Sequence, residues 1–364
     1  MTSLLPDLDP DGLLEYSVVF TDRSLNHMSQ TFQQVMRDIS ATLKDVYNAA
    51  AVIVVPGGGT YGMESIARQF ATGQRCLVIR NGFFSFRWSQ IIDMGGLTDE
   101  TTVMQARQSA AGPQAPFVPP AIDEVTAAIR SEKPDVVFAP HVDTSSGMIL
   151  PDDYIGAVTE AVHEHGGLFV LDCVASGCVW VDMKASGVDV LITAPQKGWS
   201  SSPCGALVML GENALERVGK TTSNSFACDL GKWLDIMRAY ENGGHAYHAT
   251  LPTDALKTFR DNMLETCSYG LETMRKKQCE LGKKVRGLLE ENGFRSVADE
   301  GYQAPGVVVY YTDDPEIQNG SKFLAHGLQI AAGVPLKCDE PSDFRTFRVG
   351  LFGLEKFRDT DGAV

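Results

Sequence analysis

The sequence lacks several features that would place it in a specialised class of protein. No two of its eight cysteines form a Cys-x-x-Cys pair, and His163 and His165 stand two residues apart rather than the four that a zinc-protease helix needs. We therefore expect neither a disulfide framework nor a metal site. Scattered cysteines inside apolar runs are typical of buried thiols in a reducing cytoplasm, so a cytoplasmic location is expected.

Long hydrophobic runs are also missing. The longest, residues 49–56, is far below the ~18 residues that a membrane-spanning helix requires. The first residues carry acids where a signal peptide has a basic region followed by an apolar one. We therefore expect no membrane helix and no secretion signal.

Positive charge is scarce as well. The 364 residues include 31 basic and 46 acidic side chains, a formal net charge of −15, and no basic stripe interleaved with aromatics. This balance argues against binding to nucleic acid or to an anionic membrane surface. With 44% hydrophobic residues the chain is globular, and its partners are expected to be small molecules or a second copy of itself.

Strand-like and helix-like patterns alternate through the first 255 residues. Helices are predicted at 29–48, 61–70, 84–94, 122–131 and 152–165, and strands at 52–55, 76–79, 136–138, 168–171, 188–192 and 206–210. Short apolar strands that alternate with helices predict a mainly parallel sheet covered by helices on both faces.

The pattern changes after residue 254. A long charged amphipathic stretch predicts a helix at 259–292, and strands are predicted at 306–311 and 346–349. At this length two lobes are expected. We predict a large α/β domain over residues 1–255, with an N-terminal arm at 1–28, and a smaller α+β domain over residues 256–364.

A glycine-rich segment, an aspartate and a lysine follow three of the predicted strands, at the edge where ligands of open α/β sheets bind. Gly57-Gly58-Gly59-Thr60 leads into a helix and is either a tight turn or a cradle for a phosphate. Asp172 alone is a helix or turn cap, and Lys197 alone is the charge of a surface loop. Together they are the carboxylate and the amine that pyridoxal phosphate chemistry requires, one for the pyridine nitrogen and one for a Schiff base.

The sequence also resembles a known family over most of the chain. The resemblance lies in the following blocks: His27-Met-Ser29, Gly57-Gly-Gly-Thr-Tyr-Gly-Met-Glu64, Asn81-Gly82, Thr144-Ser-Ser-Gly147, Leu171-Asp-Cys-Val-Ala-Ser176, Gly187-Val-Asp-Val-Leu-Ile192, Gln196-Lys-Gly198, Tyr247-His-Ala-Thr250 and Phe347-Arg-Val-Gly-Leu-Phe-Gly353. They resemble the class V aminotransferases of the fold-type I pyridoxal phosphate superfamily, especially the alanine–glyoxylate and serine–pyruvate branch. The family's fold implies a seven-stranded, mainly parallel sheet between helices.

The resemblance implies roles for two catalytic residues. Lys197 would bind pyridoxal 5′-phosphate covalently and then carry a proton as general base and acid. Asp172 would pair with the ring nitrogen. Phe84 stands where the family usually has a ring-stacking tryptophan, and Thr144 where a serine contacts the phenolic oxygen of the cofactor.

Further roles follow from the remaining blocks. The phosphate contacts implied by the resemblance are Gly58, Gly59, Thr60 and Gln196, together with Tyr247 and Thr250 of a neighbouring subunit, which implies a homodimer with shared active sites. Arg348 matches the arginine that holds the substrate carboxylate. His27 either shapes the substrate pocket or caps the helix that follows it.

The implied activity is transfer of an amino group from a small amino acid, such as alanine or serine, to glyoxylate or pyruvate by a ping-pong mechanism. One alternative is an aminotransferase for 2-aminoethylphosphonate, since arginine also binds phosphonates. Another is a cysteine desulfurase or lyase of the same fold, with Cys338 as its thiol, although such enzymes usually have histidine where Gln196 stands. A non-catalytic protein on this scaffold would be expected to have lost Lys197 or Asp172.

Overall fold

The computed structural model describes residues 7–364. Residues 1–6 lie outside the described residues; they begin the predicted N-terminal arm and the segment in which no secretion signal is expected. The strands are β1 Ala51–Pro56, β2 Cys76–Arg80, β3 Thr101–Gln105, β4 Arg107–Gln108, β5 Phe117–Val118, β6 Val136–Pro140, β7 Val142–Asp143, β8 Met148–Ile149, β9 Leu168–Asp172, β10 Val190–Thr193, β11 Gly205–Leu210, β12 Val307–Tyr311, β13 Ala331–Ala332 and β14 Thr346–Gly350. The helices are α1 Gln30–Tyr47, α2 Gly59–Phe70, α3 Phe83–Gly95, α4 Ile122–Glu132, α5 Asp152–His163, α6 Met183–Ser186, α7 Glu212–Val218, α8 Leu230–Glu241, α9 Thr253–Ser268, α10 Leu271–Glu291, α11 Pro315–Gln318, α12 Ser321–Ala325 and α13 Leu354–Arg358.

A seven-stranded sheet organises the larger part of the chain. Its strand order is β1-β11-β10-β9-β6-β2-β3. Strand β11 is antiparallel to both of its neighbours, and the other pairings are parallel. The predicted α/β fold with a seven-stranded, mainly parallel sheet is confirmed. The six strands other than β11 therefore end at one edge of the sheet. The loops after five of them, β1, β2, β6, β9 and β10, meet there.

Helix α1 shows how the apolar pattern produces the packing. Its buried side chains, which include Phe32, Met36 and Leu43, recur at helical spacing and face the sheet. The Ser29 hydroxyl accepts a hydrogen bond from the Phe32 N–H (3.0 Å), which satisfies a free donor of the first turn. The N-cap is therefore Ser29 and not His27.

The prediction of one continuous helix over residues 259–292 is wrong. The structure has two helices there, α9 and α10, separated by Tyr269 and Gly270. Gly270 adopts φ +85°, which glycine reaches without the steric cost that side chains impose. The amphipathic pattern continues across this break, so the pattern alone does not reveal it.

A second, three-stranded antiparallel sheet of order β12-β14-β13 belongs to the C-terminal part of the chain. Helix α10 packs on it through Met274 and Leu281, which share a hydrophobic cluster with Phe347. Helix α9 packs instead with the large core, to which Leu256 and Phe259 belong. The domain boundary at residue 255 stays a prediction.

Three further observations concern the described residues. None of the helices within residues 7–364 has the length and apolar character needed to span a bilayer. In the same part of the chain, no three His, Cys, Asp or Glu side chains gather closely enough to hold a metal ion. All eight cysteines are unpaired thiols.

Candidate active site

A cavity of about 400 Å³ opens at the carboxyl edge of the large sheet, beneath the small sheet. Eight of the predicted site residues line it: Gly59, Thr60, Phe84, Thr144, Asp172, Gln196, Lys197 and Arg348. The small sheet contributes Arg348 from β14, beside Val307 and Ala331. Residues that are up to 289 positions apart in sequence therefore meet at one site.

Asp172 is the last residue of β9 and is only 6% exposed. Its Oδ1 accepts a hydrogen bond from the Val174 N–H (2.9 Å), which holds the carboxyl group at the cavity wall. Burial raises the pKa of Asp172 to about 7, and the nearby charge of Asp143 acts in the same direction. A ligand with a cationic N–H group would stabilise a carboxylate that is buried in this way.

Lys197 lies in the loop between β10 and β11. Burial lowers the pKa of its amine, and the positive charge of Arg348 lowers it further. Its Nζ lies 5.3 Å from the centre of the Phe352 ring. A lowered pKa increases the neutral fraction of the amine, the form that attacks a carbonyl carbon.

The glycine loop after β1 provides an anion site. Gly59 is the first residue of the twelve-residue helix α2, whose free N–H groups point out of its N-terminus. A Cβ on Gly59 would lie 2.8 Å from Val174 Cγ2, so a side chain does not fit there. Gly58 is the N-cap residue and does not line the cavity. The buried amide oxygen of Gln196 has no hydrogen-bond partner among residues 7–364.

Two guanidinium groups flank the ring of Phe84 in helix α3. The carbon atom Cζ of Arg87 lies 4.8 Å from the ring centre, and that of Arg348 lies 5.7 Å from it. Arg348 Nε donates to the Ala332 carbonyl oxygen (2.8 Å), which holds its side chain against β13. Burial lowers the pKa of Arg348, whereas Asp143 opposes this shift.

Arg87 was not predicted from the sequence. Its Nη1 donates to Thr60 Oγ1 (3.0 Å), which places it at the glycine loop. The available signal was its spacing: Arg87 follows Phe84 by three residues, so both lie on one face of α3. The cavity thus combines Lys197, Arg87 and Arg348 with a single carboxylate, and it suits anionic ligands.

Four predicted residues do not line the cavity: Gly58, Tyr247, Thr250 and His27. The Tyr247 hydroxyl lies 3.0 Å from Thr250 Oγ1, and Tyr247 is 54% exposed. His27 is buried, and its ring centre lies 5.6 Å from that of Tyr247. These three residues form a group of their own outside the cavity of this chain.

Cys338, the thiol of the desulfurase alternative, does not line the cavity either. Its side chain is 3% exposed, and its Sγ contacts the carbonyl oxygens of Arg80 (3.5 Å) and Leu336 (3.7 Å). Burial raises the pKa of the thiol to about 12. The thiolate, which is the nucleophilic form, is therefore disfavoured.

The cavity residues fit pyridoxal phosphate. Gly59 leaves no space for a Cβ, and the start of α2 offers free N–H groups to a phosphate. Asp172 is a buried carboxylate for a protonated ring nitrogen, and Lys197 is an amine with a lowered pKa. The ring of Phe84 can stack on a second aromatic ring.

Known proteins are similar to this chain over most of its length. The chain is 27% identical over 347 residues to a Synechococcus protein named "Soluble hydrogenase, small subunit", with 93% of this chain and 85% of that protein covered. It is 25% identical over 343 residues to alanine–glyoxylate aminotransferase of Rattus norvegicus, with 91% and 78% covered.

The fold is shared with solved structures. An alanine–glyoxylate aminotransferase from Nostoc sp. matches with a TM-score of 0.77 at 21% identity, covering 90% of this chain and 84% of that one. The architecture is that of the fold-type I pyridoxal phosphate enzymes. The family model described as "Aminotransferase class-V" matches residues 13–348. The chain therefore belongs to the class-V aminotransferases, and it is a transaminase that depends on pyridoxal phosphate.

Proposed function

We propose that the protein transfers an amino group from a small amino acid, such as alanine or serine, to a small 2-oxo acid, such as glyoxylate or pyruvate. The observation that carries this proposal is the convergence of Lys197, Asp172 and Arg348 on one cavity of about 400 Å³. The Arg348 guanidinium group lies near enough to the Lys197 amine to lower its pKa, which suits a substrate with a carboxylate next to its reacting carbon. Similarity to alanine–glyoxylate aminotransferases supports the same substrate class.

Each group of the cofactor has a proposed partner in this chain. Lys197 would hold the formyl carbon, Asp172 the ring nitrogen, Phe84 one face of the ring, and Thr144 the phenolic oxygen. The phosphate would be held by the following groups: the loop of Gly58 and Gly59, Thr60, Gln196 and Arg87. When bound, pyridoxal phosphate supplies the carbonyl that takes up the amino group and a ring that withdraws electrons.

The chain's own residues bind and orient the substrate and move its proton. Arg348 would hold the carboxylate with two parallel hydrogen bonds and so fix the substrate carbon near Lys197 Nζ. That amine would accept the proton as general base and return it as general acid. Donor and acceptor would use the same site in turn, as in a ping-pong mechanism.

A homodimer with shared sites is part of the proposal. Tyr247 and Thr250 would reach the cofactor phosphate of the partner's site, because they lie outside the cavity of their own chain. Large apolar side chains of the N-terminal arm support a second copy: Leu13 is 84% exposed, Tyr16 82%, and Val18 fully exposed. His27 packs on Tyr247, so it would shape the entrance to the shared site. The eight unpaired thiols support a cytoplasmic location.

The two alternatives are tested by the same measurements. A phosphonate group could take the place of the substrate carboxylate at Arg348, so 2-aminoethylphosphonate belongs among the tested donors. The desulfurase alternative requires a reactive thiol, whereas Cys338 is buried and its pKa is raised to about 12. Release of sulfide from L-cysteine would favour that alternative over transamination.

The test is a matrix of amino donors against 2-oxo acceptors with purified holoenzyme. Alanine or serine with glyoxylate or pyruvate is expected to give the highest kcat/KM. A donor added alone should change the visible absorbance of the cofactor, and an acceptor should reverse the change. Lys197→Ala should abolish turnover. The proposal fails if the holoenzyme shows neither turnover nor a spectral response with any small amino donor.

A further inference from the structure

We propose that Asp143 is the positioning residue of the active site, which holds Phe84 and Thr144 in place on two sides of the bound cofactor. The inference rests on the proposed cofactor contacts of Phe84 and Thr144. Asp143 is absent from the cavity lining, and it has no exposed surface. It would act through its neighbours and would touch neither cofactor nor substrate.

The carboxylate of Asp143 joins two chain segments that are about sixty residues apart. On its own loop, Oδ1 accepts hydrogen bonds from Ser145 N (3.0 Å) and from Ser145 Oγ (2.6 Å). On helix α3, Oδ2 accepts from Ser85 N (2.8 Å) and lies 2.8 Å from Ser85 Oγ. Thr144 stands between Asp143 and Ser145, so its backbone is held from both sides.

The two serines extend this network along the turn that precedes Phe84. Ser145 Oγ accepts a hydrogen bond from Phe83 N (2.7 Å). Ser85 Oγ accepts from Asn81 N (2.9 Å) and Gly82 N (3.1 Å). The backbone N–H groups of residues 81, 82, 83 and 85 are thus all satisfied through Asp143 or a serine bonded to it. Phe84 lies between two of these anchored positions.

Close packing at Gly82 shows that the turn rests directly on the carboxylate. A Cβ on Gly82 would lie 2.1 Å from Ser145 Oγ and 2.7 Å from Asp143 Oδ1. Glycine is required here by this approach of the backbone and not by its φ angle, which is extended. The turn therefore has little freedom to shift relative to Asp143.

A carboxylate suits this place better than an amide. Both of its oxygens face backbone N–H donors from different segments, and an asparagine side chain has one acceptor oxygen only. Its NH₂ group would meet either Ser85 N–H or Ser145 N–H. One buried donor would then lose its partner, which is costly where no water can replace it.

The charge of Asp143 also acts on the substrate end of the cavity. It favours the charged form of Arg348 and so opposes the lowering of that guanidinium's pKa by burial. Loss of the carboxylate would weaken substrate binding through Arg348 as well as ring stacking through Phe84. This effect adds to the positioning argument, which stands on the hydrogen bonds.

Asp143→Asn tests the proposal, and Asp189→Asn is its matched control. Asp189 is likewise buried (3% exposed) and accepts from Phe169 N (2.8 Å) and Asn213 Nδ2 (3.1 Å), but it does not line the cavity. Both variants should lower the midpoint of urea unfolding. Only Asp143→Asn should weaken the affinity for pyridoxal phosphate, by about tenfold or more, and change the circular dichroism of the bound cofactor.

Ser145→Ala is the second variant in case Asp143→Asn does not fold. It removes the bond from Phe83 N and the bond from Ser145 Oγ to Asp143 Oδ1, but it keeps the bonds of Asp143 to Ser145 N and to Ser85. It should change the cofactor's circular dichroism and affinity in the same direction by a smaller factor. The proposal is overturned if Asp143→Asn keeps the cofactor affinity and circular dichroism of wild type. If that variant is unfolded, the same result in Ser145→Ala overturns it. The proposal is also overturned if Asp189→Asn loses as much cofactor affinity as Asp143→Asn. These readouts require no substrate, so they are independent of whether the proposed donor and acceptor are correct.

Discussion

Arg87 donates a hydrogen bond to Thr60 Oγ1 (3.0 Å) while its guanidinium group stacks over Phe84. This contact links α3, which carries the proposed ring-stacking residue, to the first turn of α2, which carries the proposed phosphate loop. One cation therefore lies where the phosphate and the ring of the cofactor would meet. Its charge also lowers the pKa of Asp172, against the effect of burial.

Replacement of Arg87 by alanine is expected to weaken binding of pyridoxal phosphate by about tenfold to a hundredfold, since a charge-assisted hydrogen bond to phosphate is lost. Affinity for pyridoxal, which has no phosphate, should change far less. Both constants can be measured by absorbance titration of the cofactor-free protein. Arg68→Ala is the control, because Arg68 is paired with Glu64 outside the cavity. Equal losses for both ligands would show that Arg87 does not bind the phosphate.

Two adjacent glycines offer a sharper test of the phosphate loop. A Cβ on Gly58 meets nothing within 4 Å, whereas one on Gly59 would lie 2.8 Å from Val174 Cγ2. Gly58→Ala should therefore leave cofactor affinity within a few-fold of wild type. Gly59→Ala must displace the helix start or Val174, and we expect it to reduce that affinity by about tenfold or more. If the two variants bind the cofactor equally well, the loop does not approach the phosphate closely.

Asp172 should make the stability of the cofactor-free protein depend on pH. Burial raises its pKa from 3.8 to about 7, so between these values the folded state binds more protons than the unfolded state. The free energy of unfolding then decreases as pH rises from about 4 to about 7.

Asp172→Asn should remove this dependence, because the amide carries no charge and can still accept from Val174 N. We expect the cofactor-free variant to be more stable than wild type at pH 8, by on the order of a few kcal/mol, and similar near pH 4. Urea unfolding at the two pH values measures this. The same variant should lose transaminase activity, which would separate the catalytic role of the carboxylate from its cost in stability. If the cofactor-free wild type and Asp172→Asn unfold identically in urea at pH 8, burial does not raise the pKa of Asp172.

The sheet and the residues at its carboxyl edge could be predicted because they are encoded locally. Six of its seven strands are short apolar runs. Asp172 is the last residue of one of them, and Lys197 lies four residues after the end of another. Strand β3 was not predicted, because Thr101–Gln105 is half-buried at the sheet edge and has no apolar run. Helix α8 was also missed, although an aspartate at its N-cap, Asp229, marks its start.

Relationships between distant segments could not be predicted in the same way. The bond from Ser85 to Asp143 joins residues 58 positions apart, and nothing in either local sequence specifies the other. The position of Arg348 came from the family resemblance, and the structure shows that pairing of β14 with β13 sets its side chain against Ala332. Spacing places Arg87 on the same face of α3 as Phe84, but its contact with Thr60, 27 positions earlier, has no local signal in the sequence.

Mixed dimers provide the test of a shared site. Lys197→Ala should be inactive because it lacks the amine, and Tyr247→Ala with Thr250→Ala should bind cofactor weakly because the partner's phosphate contacts are lost. Unfolding and re-forming the two proteins together should restore activity, since one site of each mixed dimer then has intact residues from both chains.

The expected recovery is about a quarter of wild-type activity at limiting cofactor, because half of the dimers are mixed and each has one intact site. Mixing Lys197→Ala with Asp172→Asn is the control. Those two residues line the cavity of the same chain, so a mixed dimer of this pair has no site with both intact. Recovery with the first pair and none with the second would place Tyr247 and Thr250 across the subunit boundary. A first pair that recovers no activity, in a protein that sediments as a dimer, would assign these two residues to their own chain.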